Sequence, residues 1–242
     1  MATLDAATWL ATWEHSHSLP PALRPCALLA PLLANGQAAA ECLPLGQRDA
    51  SLLDLYAALF GPELQATASC QCCGERLELN LDCRALRLAV PMPADELQLQ
   101  WQDVQVRYRL PDSRDLAALA QAGGEAQARS LLLQRCIERA SRADEELQAP
   151  ALPAELLEQL AEAMSAADPQ AVTELLLSCP ACNTQWPELF DIGAFLLERL
   201  GHWAERQLDQ VHLLAHAYGW SEAQILALSP MRRAHYLSRV LA

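Results

Sequence analysis

Cys70-Gln71-Cys72-Cys73-Gly74 and Ser178-Cys179-Pro180-Ala181-Cys182-Asn183 are the stretches on which the fold of this chain turns. Each carries a Cys-x-x-Cys pair followed by a residue that tolerates positive φ, Gly74 in the first and Asn183 in the second. A tight turn of that kind aims two thiolates at one point while backbone amides face their charge. Zinc takes four soft or borderline ligands in a tetrahedron, and structural sites leave no position for water. Cys70, Cys73, Cys179 and Cys182 are therefore expected to hold one structural Zn2+, with two ligands from each half of a split zinc ribbon. About a hundred residues separate the halves. Closing so long a loop costs a few kcal/mol, because the entropy grows only with the logarithm of length. Structural zinc in small peptides contributes roughly 10–16 kcal/mol of apparent binding energy, which outweighs that cost. Cys72 offers a competing pair with Cys70, and the glycine after Cys73 decides for Cys73. Neither motif has the strand-to-helix setting of a redox-active pair.

Around the first knuckle, Leu64 to Ser69 and Arg76 to Leu81 read as the strands of a hairpin, since Leu77, Leu79 and Leu81 alternate with Glu78 and Asn80. A second alternating run extends from Leu97 to Leu110, and Pro111-Asp112-Ser113 closes it and caps a following helix. Elsewhere the pattern is helical. Trp9 and Trp13 share one face of a helix opened by Leu4-Asp5, and Cys26 to Leu33 forms a second. Asp49 is the expected N-cap of a helix ending before Gly61-Pro62. Helices are expected near 115–122, 126–140 and 153–166, with a short element from Asp168 to Leu177 and a linker over 142–152. Phe190, Phe195, Leu196, Leu200 and Trp203 line one side of a long helix from about Ile192 to Ala217, stopped by Tyr218-Gly219. Ser221 and Ser229-Pro230 open two short helices after it. The expected fold class is α+β, mainly α-helical, with a small β element around the split ribbon. The organisation expected is a single domain over 1–242, with ribbon halves 64–83 and 172–190, an insertion 84–170 and a C-terminal helical segment 191–242.

Composition narrows the function. Hydrophobic residues make up 52% of the 242, chiefly Ala and Leu, which lose little entropy in helices. A net charge of −13 opposes binding to nucleic acid, which needs clustered Lys and Arg. The Cys26 to Ala40 stretch is broken by Pro31 and Asn35-Gly36-Gln37, so no membrane span is expected, and nothing resembles a secretory leader. Nine cysteines without a leader read as metal binding in a reducing cytoplasm, not as a disulfide framework. His212 and His216 lie four apart on the long helix, yet no Glu follows His212 and no third ligand is in view, so they read as ordinary helix histidines. No phosphate loop, nucleophile elbow or carboxylate pair stands out, and no enzyme is expected. The C-terminal segment gathers Trp220, Arg232, Arg233 and Tyr236 in an aromatic-poor chain. These are residue types that dominate protein interfaces, and they are the expected partner-binding residues.

Several stretches together carry a family likeness: Leu43-Pro44-Leu45-Gly46-Gln47-Arg48-Asp49, Leu59-Phe60-Gly61-Pro62, the first knuckle, and Val106-Arg107-Tyr108-Arg109-Leu110-Pro111 with Asp115-Leu116. To these add Asp168-Pro169-Gln170-Ala171, the second knuckle, Phe190-Asp191-Ile192, and Tyr218-Gly219-Trp220-Ser221-Glu222 with Ile225-Leu226 and Arg232-Arg233. The chain resembles proteins encoded in contractile phage tail and injection-system clusters, related to the T4-like baseplate hub assembly chaperones. The resemblance implies a non-enzymatic helper in building the baseplate hub, acting in the bacterial cytoplasm on baseplate and tail hub proteins. Two other readings compete: a zinc-ribbon nucleic-acid-binding regulator, and a structural baseplate component retained in the particle.

Overall fold

The computed structural model describes residues 5–88, 96–142, 145–147 and 152–241. A helical frame comes first. Asp5 accepts from the Thr8 backbone N–H at 2.8 Å and caps α1 (Ala6–Ser18). Then come α2 (Arg24–Leu29), α3 (Gly36–Glu41) and α4 (Leu45–Phe60). The expected helix from Cys26 to Leu33 is shorter than anticipated, because the chain tightens into a 3-10 turn at Ala30–Leu32 around Pro31. The cap expected at Asp49 is also corrected. α4 opens five residues earlier, with Pro44 at the N-cap position, since its first amides have distant acceptors: Leu45 N–H donates to Pro111 O at 3.0 Å and Gly46 N–H to Asp168 Oδ2 at 2.9 Å.

Gly61, at φ 89°, turns the chain from α4 into β1 (Glu63–Ser69), which pairs antiparallel with β2 (Arg76–Asp82) across the first knuckle. A one-turn helix α5 (Cys83–Leu86) follows. The alternating run then proves to be a hairpin, not one strand: β3 (Leu97–Trp101) and β4 (Val104–Tyr108) fold about Gln102, whose φ is 52°. α6 (Ser113–Leu119) carries a full capping box between Asp112 and Asp115. α7 (Glu125–Cys136) stops short of the expected Ala140, and β5 (Ile137–Arg142) lies beside β4. β6 (Glu145–Leu147) pairs with β5 within the expected linker, whose residues 143, 144 and 148–151 lie outside the described residues. One face of this β3-β4-β5-β6 sheet buries Val104, Val106 and Ala140 against Leu156, Leu160 and Met164 of α8 (Ala154–Ala167). Those three α8 residues recur every fourth position, the spacing of one helical face.

From Asp168 the chain makes a 3-10 turn at Pro169–Ala171 and enters β7 (Glu174–Ser178), a strand where a short continuous element was expected. β7 pairs with β8 (Gln185–Leu189) across the second knuckle. α9 (Ile192–Tyr218) is capped by Asp191, whose Oδ1 accepts from Ala194 N–H at 3.0 Å, and ends at Gly219 in the left-handed conformation. α10 (Glu222–Leu226) and α11 (Pro230–Val240) open on Ser221 and Ser229, as expected. Ile192, Leu196 and Leu200 of α9 meet Leu28 and Leu29 of α2 and Leu52, Leu53, Leu55 and Tyr56 of α4 in the main core. Each such side chain contributes about 1.5–3 kcal/mol when fully buried. The fold is thus α+β and mainly helical. Among the described residues no helix is long and apolar enough to cross a membrane.

Candidate metal centre

The two knuckles are built alike. In the first, Cys70 N–H donates to Glu75 O at 2.8 Å and Gly74 N–H to Cys70 O at 2.9 Å. In the second, Cys179 N–H donates to Thr184 O and Asn183 N–H to Cys179 O, both at 2.9 Å. Gly74 at φ 78° and Asn183 at φ 58° supply the left-handed position each turn requires. The hairpins carry their tips together, and the Sγ atoms of Cys70, Cys73, Cys179 and Cys182 all lie within 4.8 Å of one another. Cys70 Sγ is 3.6 Å from Cys182 Sγ, and Cys73 Sγ is 3.6 Å from Cys179 Sγ. A disulfide would bring a pair to about 2.05 Å. Four thiolates around zinc, each about 2.3 Å from the metal, would sit about 3.8 Å apart. Spacing and donor chemistry therefore both fit a tetrahedral metal site. Cys72, exposed on the first turn, lies outside the cluster.

Cys70 and Cys179 of the site are buried together with Leu77, and Leu79 and Trp186 pack against them. Hydrogen bonds to the Thr184 hydroxyl and backbone hold the Cys182 thiol down to about 6, and Cys182 Sγ lies 3.2 Å from Thr184 Oγ1. At Cys73 the Glu75 backbone hydrogen bond acts downward. The crowding thiols of Cys179, Cys182 and Cys70, with burial, outweigh it and push the group up to about 12. Four such groups cannot all ionise side by side without a cation among them, which is the electrostatic requirement a divalent metal meets.

The expected partner residues sit at the other end of α9. Tyr218 stacks on Trp220 with centroids 4.7 Å apart, and Tyr236 meets Trp220 edge-on at 4.9 Å, so the trio ties α11 to the end of α9. Arg232 is exposed. Arg233 is only 4% exposed, tucked under α11 with Nη1 donating to Gln207 Oε1. His212 and His216 stack on the surface of α9 at 6.5 Å, with no third metal-ligating group gathered around them among the described residues.

One constellation escapes sequence reasoning. The Pro44–Asp49, Pro111–Asp115 and Asp168–Ala171 stretches, far apart in the chain, meet in a buried polar junction. Pro44 bridges Asp112, Arg48 Nη1 donates to Ser113 Oγ at 2.9 Å, and Arg48 pairs with Asp49 at 2.7 Å. Asp168 caps α4 at Gly46, and Gln170 accepts from Leu88 N–H at 2.6 Å. Burial pushes both Asp49 and Asp168 above the usual carboxylate range despite the nearby Arg48. Gly46 is the tightest point, since a Cβ there would stand 1.8 Å from Asp168 Oδ1 and 2.9 Å from the Ala171 backbone nitrogen. Gly46→Ala is expected to lower stability by about 2–4 kcal/mol, the sum of overpacking and a displaced buried hydrogen bond. Urea unfolding with unchanged slope would show it.

Comparison with known proteins places this architecture. No curated protein and no solved structure matches the chain. The family described as T4 bacteriophage base plate protein matches residues 28–197, a span that takes in both knuckles and the polar junction. With that match running through most of its length, the chain belongs to the T4 bacteriophage base plate protein family.

Proposed function

We propose that this chain is a non-enzymatic assembly chaperone or adaptor for the baseplate hub of a contractile phage tail or tail-like injection system. It would act in the host cytoplasm on other baseplate proteins. The family match carries the baseplate assignment. The four-cysteine cluster supports a structural role for zinc, held by Cys70, Cys73, Cys179 and Cys182, with no position left for substrate or water. In this reading the metal locks the two hairpins at the edge of the main core, residues 1–242 unfold as one unit, and the C-terminal helices meet the partner.

Trp220, Arg232, Arg233 and Tyr236 form the proposed contact region, and Arg232, the exposed member, gives its cleanest test. Arg232→Ala is expected to weaken capture of co-expressed baseplate hub proteins about tenfold, the scale of an interface hot spot, while stability stays within about 0.5 kcal/mol. Unchanged capture would remove Arg232 from the interface. The family match equally favours a second reading, retention in the finished particle as a structural component. Mass spectrometry of purified particles separates the two, since a chaperone departs and a component remains.

A further inference from the structure

Between α1, α4, α9 and α11 lies a cavity of about 580 Å3, a ligand-sized space. Trp9, Leu55, Phe60 and Trp203 make its walls apolar, while Arg206 and Arg233 also line it. Arg233 is 4% exposed, and its Nε has no hydrogen-bond partner among the described residues. Its guanidinium meets Gln207, a neutral group, and among the described residues no carboxylate forms an ion pair with it or with Arg206. Burial alone depresses its basicity. A buried cation without a counter-charge is unfavourable, and in a chain of 30 acidic residues against 17 Lys and Arg no ion pair to Arg233 forms among the described residues.

We infer that this cavity is a docking site for an amphipathic helix of a partner protein, whose apolar face carries one Asp or Glu that pairs with Arg233. Charge complementarity asks for the carboxylate, and the aromatic and aliphatic walls ask for the apolar face. Helical form follows from the lining, whose hydrogen-bonding side chains among the described residues are Arg206, Gln207, Gln210 and Arg233 with the indole N–H groups of Trp9 and Trp203. An extended segment would bury backbone groups that these cannot satisfy, whereas a helix satisfies its own. The inference rests on the reading of the chain as a binder of partner proteins, and adds the place and the chemistry.

The probe is an acetylated, amidated peptide of about sixteen residues, long enough to be helical, with a leucine stripe interrupted by one Glu. A second peptide has Gln in place of that Glu. Fluorescence polarisation on the full zinc-loaded chain is expected to show the Glu peptide binding about tenfold tighter than the Gln peptide. Arg233→Met should abolish that preference. Ala234 lines the cavity and is exposed, so Ala234→Trp fills the space without disturbing the core and should weaken both peptides about tenfold or more. Equal binding of the two peptides, binding undiminished in Ala234→Trp, or no peptide binding would overturn the inference. So would Arg233-dependent binding of laurate without peptide binding, which would make the occupant a fatty acid. Hub proteins still captured by Ala234→Trp would sink the cavity alone, and capture absent from the unmodified chain would sink the partner reading beneath it.

Discussion

Replacing Cys179 and Cys182 together by serine is expected to abolish metal binding and to cost on the order of 5 kcal/mol of stability, about half the gross energy of a structural zinc site. The remainder is discounted because thiolates of the unfolded chain also bind zinc. Elemental analysis of protein purified without a histidine tag should give one zinc per unmodified chain and none in the variant. The reason for expecting so large an effect is the small size of the cluster that the metal would hold. Cys70, Leu77 and Cys179 are its buried residues, with Leu79, Cys182 and Trp186 at its margin. Such a group cannot keep two hairpin tips together by burial alone. The bases of the hairpins differ, since Leu64, Ala66, Leu81 and Phe190 pack into the main core. Hydrogen exchange in the variant should therefore rise first at the knuckles and only later in α4 and α9, and the melting temperature should fall by about 10–20 °C. Cys72→Ser should leave metal content and melting temperature unchanged, because Cys72 is exposed and outside the cluster. Full folding without metal would remove the structural role of zinc while leaving the family assignment untouched.

The knuckles are legible in the sequence because their chemistry is local: two cysteines, a fixed spacing and a left-handed residue after the pair. Helix ends marked by Asp5, Ser221, Ser229 and Gly219 are legible for the same reason. The β3–β4 turn leaves a weaker mark. Leu97, Leu99 and Trp101 are odd-numbered and Val104, Val106 and Tyr108 even-numbered, a change of phase that a two-residue turn produces. β5 leaves almost none, since Ile137-Glu138-Arg139-Ala140-Ser141-Arg142 suits a helix and becomes a strand by pairing with β4. The polar junction could not be read because its bonds join residues as far apart as Gly46 and Asp168, 122 positions along the chain. Burial of Arg233 had a local signal that adjacency to Arg232 masked. Neighbouring residues on a helix point about 100° apart, and Pro230, Arg233, Ala234 and Leu237 share the cavity face.

Asp115→Ala is expected to cost about 2–4 kcal/mol, and the case rests on how many elements that one carboxylate joins. Asp115 is fully buried. Its Oδ2 and Oδ1 accept from Arg109 Nη1 at 2.6 Å and Nη2 at 2.9 Å, a bidentate pair from the end of β4. Oδ1 also accepts from Arg135 Nε at 2.8 Å, near the end of α7, and Oδ2 from the Asp112 backbone at 3.0 Å in the capping box of α6. Removing one partner of a fully buried pair costs about 3–5 kcal/mol, and the lower figure here reflects water still reaching both arginines. Their side chains are 31% and 37% exposed. Burial alone would raise the Asp115 carboxyl, but hydrogen bonds from Arg109, the Asp112 backbone and Arg135 outweigh it and hold the group at about 2. A folded-state value below the unfolded one means the contribution is complete above the ordinary carboxylate range and fades as pH falls towards 2. The difference in stability between the native chain and Asp115→Ala should therefore be constant from pH 5 to 7 and shrink progressively below about pH 4. Asp49 and Asp168, both raised by burial, act in the opposite sense, since their charged forms oppose folding as pH climbs through their folded values. Subtracting the variant's profile cancels them, so a difference that persisted undiminished at pH 3 would show that Asp115 acts by packing and not by charge.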